Sequence, residues 1–351
     1  MDRRYRNGIH EPEGQLQILK EEQGAAFWYT PPRFLYDDSV DRVLINGKDR
    51  YLDAGLFVEP KRVAYSMNYV GTIGNTGIVY APELRTAISE TAIGYQEKAS
   101  DAGYLCQSIR TLPPVYFKGV SLCIAKLASE GYFHFLHEAM LKLVFCKEWI
   151  DKVDHVTISG EAYPPIVAWL NYAGVPTEKI RFTDGLTNYH YEQLIFTTDL
   201  VTDMQPSPWS VKALRNTFPP MESKKPFRWI WASRNDSSSR NVAGEDAILK
   251  AFPKFEKVVF SQLTPGDVVQ LMHECVLFCG PHGAAFSNIV FQQQGTSVIE
   301  LYPESDHFFR PVYSRLANVC ELNHVHVKAN LQVEAGMINK IGDALKFLNL
   351  D

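Results

Sequence analysis

Two arginines stand six residues apart in "SRNDSSSRN" (233–241), with three serines between them. A guanidinium is a planar fork that pairs phosphate oxygens two at a time, and serine hydroxyls add further donors. Ser233, Arg234 and Arg240 are therefore candidates to hold an anion; the alternative is an ordinary solvated loop. A second stretch, "CGPHGAAFSNIVF" (279–291), sets His282 between a proline and a glycine and follows it with small residues. Gly280 suits a tight turn. Gly283, Ala284 and Ala285 would let a ligand approach the first N–H groups of a helix, whose positive end favours anions. His282 would add one more N–H donor. A close strand–helix crossing asks for the same small residues, so this motif alone leaves both readings open. The third stretch is "YFHFLHE" (132–138), where His134 and Glu138 lie four apart and share a helix face. Such a pair suits proton abstraction, with a neighbouring imidazole tuning the carboxylate, or else forms a plain polar face. The spacing is not the H-E-x-x-H of a zinc site.

The elements that must position these residues are clearest in the second half. "FRWIWAS" (227–233), "EKVVF" (256–260), "CVLFC" (275–279), "TSVIELY" (296–302) and "ELNHVHV" (321–327) read as strands. Helical patterns separate them: "GEDAILKAF", "TPGDVVQLMHE" with its Thr-Pro start, a helix over 283–293, one within "HFFRPVYSRLANV", and the closing "EAGMINKIGDALKFLN". Strict alternation of strand and helix implies a parallel sheet covered on both faces, hence a doubly wound α/β domain. Both anion-suited stretches follow strands of that sheet, at the edge where open α/β sheets bind ligands.

The first half is less regular. "SLCIAKL", "HVTIS" and "YEQLIFTT" read as strands, residues 132–150 as one long helix, and "PPIVAWLNYAG" as a helix closed by Gly174. Residues 25–115, rich in Tyr, Gly and Pro, suggest hairpins and long loops. Prolines at both ends make 204–226 the best linker. The organisation expected is a polar extension over 1–24, an N-terminal domain over 25–218, a C-terminal domain over 219–335 and a closing helix over 336–351.

A chain of 351 residues with 46% hydrophobic content can bury two cores. A formal net charge of −5 argues against a general nucleic-acid binder. No stretch supplies the roughly 18 uncharged apolar residues of a membrane span, which leaves only peripheral association. The six cysteines are scattered without C-x-x-C spacing and fit buried thiols in a reducing cytoplasm. The chain also lacks an Asp-x-Asp triplet.

Together the three stretches resemble glycosyltransferase family 61. The family's HGA-G/A-x-x-N run followed by a "VIE" strand is matched by His282, Gly283, Ala284, Ala285, Asn288 and "SVIELYP". Its serine–arginine loop with a second arginine is matched by Ser233, Arg234, Arg240, Asn241 and Glu245. Its "FH" with an acid four residues after the histidine is matched by Phe133, His134 and Glu138. The likeness covers roughly residues 120–305; Ala285 stands where a glycine is common, and "QQQG" replaces a proline–glycine turn.

The resemblance implies a GT-B architecture, two Rossmann-like doubly wound domains facing a cleft, and an inverting transfer that needs no metal or other cofactor. A nucleotide-sugar donor, UDP-linked by resemblance, would place its diphosphate on Ser233, Arg234, Arg240, His282, Gly283 and Ala284. Glu300, Glu304 and Asn288 would serve its ribose or base. Glu138, with His134 as the alternative base, would deprotonate the hydroxyl of a glycan or glycolipid acceptor in surface-polysaccharide synthesis. A catalytically inactive, nucleotide-sugar-binding relative is the competing reading. A phosphate-ester hydrolase lacks a metal cluster or nucleophile motif in the sequence.

Overall fold

The computed structural model describes residues 16–36, 55–82, 86–91, 113–202, 204–237, 239–303, 311–332 and 334–350. The chain divides into two compact units. One comprises Met1–Ala26 with Val58–Met204, the other Phe27–Phe57 with Gln205–Asp351.

The second unit is built on a six-stranded sheet. Its order is Phe255–Val258, Arg228–Ala232, Cys275–Pro281, Ser297–Pro303, Asn323–Ala329 and Phe34–Leu35. Every pairing is parallel. The five strands expected in this half are all present, and Phe34–Leu35 is added at one edge from far upstream. The Ser297–Pro303 strand is buried along its whole length, as a central strand covered on both faces must be. Trp231, Ile248, Leu277, Ile299, Val325 and Ile341 meet in the core on one side. The intervening helices start where their caps dictate. Thr264 accepts from the Asp267 N–H at 3.2 Å ahead of Pro265–His273. A reciprocal Ser207–Ser210 capping box opens Pro208–Thr217. That last helix occupies the middle of the stretch expected to be a linker.

The helix expected over 283–293 is a 3₁₀ helix, Ala284–Phe291. Ser287, Asn288, Ile289 and Val290 are weak α-formers, which removes the incentive to wind the looser helix. Its end is held from outside: Arg215 donates from Nε to the Val290 carbonyl and from Nη2 to that of Gln292, each at 2.6 Å. Gly280 lies inside the Cys275–Pro281 strand rather than in a turn. A β-carbon there would stand 2.9 Å from the Ala232 Cβ and carbonyl oxygen on the neighbouring strand.

The first unit departs further from expectation. Its sheet runs Ile180–Thr183, His155–Ser159, Val115–Cys123, Tyr189–Thr197, Arg62–Thr72, Val79–Ala81 and Thr86–Ala87, with Leu16–Glu22 also on Arg62–Thr72. The first four strands are parallel and the rest antiparallel, so this sheet is mixed rather than doubly wound throughout. Chain connectivity explains the switch. His155–Ser159 and Ile180–Thr183 are joined by a crossover containing the Pro164–Tyr172 helix, which permits parallel pairing. Arg62–Thr72 and Val79–Ala81 are joined by a short turn with Gly74 and Gly77 at positive φ, which permits only antiparallel pairing. The helix expected over 132–150 is composite: α over Tyr132–His134, a π turn over Phe135–Ala139, α over Met140–Phe145, then 3₁₀ over Lys147–Lys152.

Among the described residues no helix is long and apolar enough to cross a membrane. Cys123, Cys146, Cys275, Cys279 and Cys320 are buried free thiols.

Candidate functional site

In the second unit, the arginine loop leaves the end of Arg228–Ala232, and the His282 turn leaves the end of the adjacent Cys275–Pro281 strand. Glu245, buried at the start of the Glu245–Ala251 helix, ties the loop down. Its carboxylate accepts from Trp231 Nε1 (2.6 Å), Ser233 Oγ (3.1 Å) and Asn235 Nδ2 (3.1 Å), and it pairs with Lys257. Ser233 is thus committed to shaping the loop. Arg234 donates from Nη2 to Ser237 Oγ at 2.7 Å and from Nε to the Ser239 carbonyl at 3.1 Å. Arg240 holds a left-handed backbone, φ 58°, that a side chain of its size seldom adopts. Burial of Arg234, and then the charge of Arg240, lower the Arg234 pKa. Two cations held close enough to disfavour one another are well suited to an anion with more than one charge.

The two stretches meet at Gly283. The Arg234 guanidinium lies in the space that a side chain on Gly283 would fill, with Cζ 2.8 Å from the position of a β-carbon. The glycine is extended (φ 170°), so its smallness serves clearance and not backbone strain. The clearance expected for a ligand is taken by the arginine. Ala284 beside it is exposed and Ala285 half-buried, so the start of the 3₁₀ helix faces solvent.

Behind the turn lies a buried carboxylate. The His282 N–H donates to the Leu301 carbonyl at 2.8 Å, and His282 Nδ1 bonds Glu300 Oε1. His324 Nε2 reaches Glu300 Oε2 at 2.9 Å, and His326 Nδ1 lies 3.1 Å from the same oxygen. Burial alone would raise the Glu300 pKa; the three imidazoles around it, His326, His282 and His324, overcome burial and hold the carboxyl well below the usual range. Burial keeps His326 well below the usual imidazole range. An ionised carboxylate can only accept, so Nδ1 of His282 carries the proton. The ring is flanked by Tyr302 and Tyr313, with centroids 5.0 and 5.2 Å away. Tyr313 is coupled electrostatically to Arg240 and Arg234 as well as to Glu300, and burial, its largest influence, raises its pKa.

Glu300 therefore does not stand where a ribose would find it: it is wholly buried and spent on imidazoles. Asn288 is buried too, donating to the Ala285 carbonyl at 3.1 Å. Glu304 lies outside the described residues. Glu300, His324 and His326 also form a group whose ligand atoms lie within 4.8 Å of one another, a donor set that suits a transition-metal ion.

In the first unit, the π turn carries the acid–base pair. Glu138 Oε2 is 3.0 Å from His134 Nδ1 and 3.5 Å from Lys126 Nζ, and the Met204 N–H donates to Oε1 at 3.2 Å. Lys126 and Lys142 both approach Asp199, at 3.6 and 3.4 Å. Burial would raise the Glu138 pKa, but Lys126, His134 and the Met204 N–H bring it down to about 2. His137 is buried and stacked on Phe133 at 4.7 Å.

Sequence reasoning missed Glu245 as an anchor, Tyr313, the histidines behind Glu300, and the Lys126–Asp199–Lys142 network. One signal was available. A lone glutamate in an apolar strand, with two histidines spaced by two in a later strand, puts all three on one face when the strands pair.

An α/β fold with parallel strands, and phosphate-suited groups at the ends of two of them, is consistent with an α/β glycosyltransferase. Residues 132–299 match the family described as Glycosyltransferase 61, which supports assignment of the chain to glycosyltransferase family 61 and thus a glycosyltransferase. The matched stretch contains His134, Glu138, Arg234, Arg240 and His282 and stops one residue before Glu300. No curated protein matches the chain.

Proposed function

We propose that the protein is an inverting glycosyltransferase of GT-B type. It moves a hexosyl or pentosyl group from a UDP-linked donor to a hydroxyl of a glycan or glycolipid. The observation that carries this reading is the packing of the Arg234 guanidinium onto Gly283, which joins the arginine loop to the His282 turn in the second unit. Arg234, Arg240 and His282 would take the charge that grows on the departing diphosphate, the task a divalent metal performs in other transferases. The proton acceptor would come from the His134–Glu138 pair. One displacement at the anomeric carbon inverts its configuration. The buried free thiols fit a cytoplasmic enzyme, and the acceptor would then belong to surface-glycan synthesis.

The test is release of UDP from a panel of UDP-sugars with glycan acceptors, run in EDTA. Arg234→Ala is expected to lower kcat by about 10²–10³-fold, as for loss of one donor to a developing anion, with an unchanged melting temperature. Unaltered turnover in Arg234→Ala overturns the site assignment, and activity abolished by EDTA overturns the metal-free mechanism.

A further inference from the structure

We infer that His134, not Glu138, is the base of the transfer, and that Glu138 is a positioning residue acting through it. The inference rests on the transferase reading and adds which atom takes the acceptor proton.

Access separates the two groups. The Glu138 side chain retains 2% of its exposure and that of His134 23%. A base must come within hydrogen-bond reach of the proton it removes, directly or through one water. Both Glu138 oxygens are engaged inside the unit, one by the Met204 N–H and the other by His134 and Lys126. Three of about four acceptor positions are taken, and the remaining one belongs to a side chain shut away from solvent.

Electrostatics point the same way. Lys126, Lys142, Glu138 and Asp199 form a buried set of two positive and two negative charges. Protonating Glu138 leaves the lysines in excess, and uncompensated buried charge is costly. Protonating His134 instead places the new positive charge against the Glu138 carboxylate, where it is stabilised. A carboxyl held down to about 2 is also a weak acceptor for an alcohol proton.

The tautomer follows. Ionised Glu138 can only accept, so the 3.0 Å bond fixes the proton of neutral His134 on Nδ1 and leaves Nε2 as the basic nitrogen. A carboxylate that orients an imidazole and steadies its cation is the arrangement that lets a histidine deprotonate a hydroxyl. In the transfer, the acceptor O–H proton passes to His134 Nε2 as its oxygen bonds the anomeric carbon. The bond from that carbon to the diphosphate oxygen breaks, and its electron pair leaves with the nucleotide. The imidazolium then returns its proton to solvent.

Two measurements on the full chain decide the matter. The first is UDP release from the UDP-sugar that the wild type turns over. His134→Ala is expected to lower kcat by about 10²–10⁴-fold, the usual range for a base, with donor KM unchanged and part of the rate restored by added imidazole. Glu138→Gln is expected to lower kcat in the wild-type background and to add little to His134→Ala. A His134→Ala protein that keeps most of its kcat, beside a folded Glu138→Gln protein that has lost it, makes Glu138 the base and overturns the inference. The second is ¹⁵N-imidazole NMR of wild type and Glu138→Gln, with His134 assigned by its loss in His134→Ala. A neutral His134 protonated at Nδ1 only while Glu138 is present supports the inference; an Nε2-protonated ring in the wild type overturns it. The NMR result stands whether or not any UDP-sugar is turned over, so failure of the transferase reading and failure of this one are told apart.

Discussion

The guanidinium of Arg234 occupies the space of the side chain that Gly283 lacks. It joins two loops that enter from adjacent parallel strands, 49 residues apart in the chain. Gly283→Ala should therefore act on Arg234 rather than on the backbone. The extended φ of 170° suits alanine, and the overlap is with the end of a flexible side chain that can swing away. The expected result is a folded protein with an unchanged melting temperature and UDP affinity weakened about tenfold or more, the scale of one charge-assisted hydrogen bond. Calorimetric titration of UDP measures it. Near-additive losses in the Gly283→Ala/Arg234→Ala pair would show that the two residues act separately.

Glu300 gives a second expectation. It touches His282, His324 and His326 and no solvent, so any influence on a bound donor would run through its neighbours, His282 first among them. Glu300→Gln removes the charge and turns one acceptor into a donor facing imidazoles that need acceptors. The folded protein should lose stability by about 3 kcal/mol, as when one partner of a buried charged set is removed. In a double-mutant cycle with His282→Ala, UDP affinity should show a coupling of about 1–3 kcal/mol. Urea unfolding and UDP titration of the four proteins test both parts, and zero coupling would reduce Glu300 to a packing role.

How much of this was legible depends on where the partners lie. The parallel sheet of the second unit could be read because each strand is an apolar run and each helix carries its own start signal, as at Thr264–Asp267. The mixed sheet of the first unit could not. Arg62–Thr72 pairs with Tyr189–Thr197, and no local pattern encodes a partner more than a hundred residues away. The same holds within the sites. His134 and Glu138 share one helical stretch and were visible as a pair, but the lysine that keeps Glu138 ionised, Lys126, sits on the loop between Val115–Cys123 and that stretch, where no helical spacing marks it. Glu300 looked like a polar residue at a ligand-binding strand end. Only the register that sets it opposite His326 shows that it faces inward.

Acid stability tests the charge state of Glu138. In the folded protein its carboxyl is held down to about 2, against roughly 4.3 in an unfolded chain. Between those values the unfolded state binds the proton more tightly, so stability falls as pH falls. The contribution of Glu138 is fully present above about pH 4.5 and is lost as the pH approaches 2. Glu138→Gln abolishes this titration and leaves Asp199 as the carboxylate shared by Lys126 and Lys142, so the variant should be less stable than wild type at pH 7 by about 3 kcal/mol. The gap should then close between pH 4.5 and 2, because only the wild type is losing the ion pair there. Glu300, also held low, titrates in both proteins and cancels in the comparison. Urea midpoints of the two proteins across pH 2–7 measure the gap. Curves that stay parallel through the acid range would mean that the Glu138 carboxyl titrates in the folded protein as it does in the unfolded chain, and the network around Lys126 would have to be redrawn without its ion pair to Glu138.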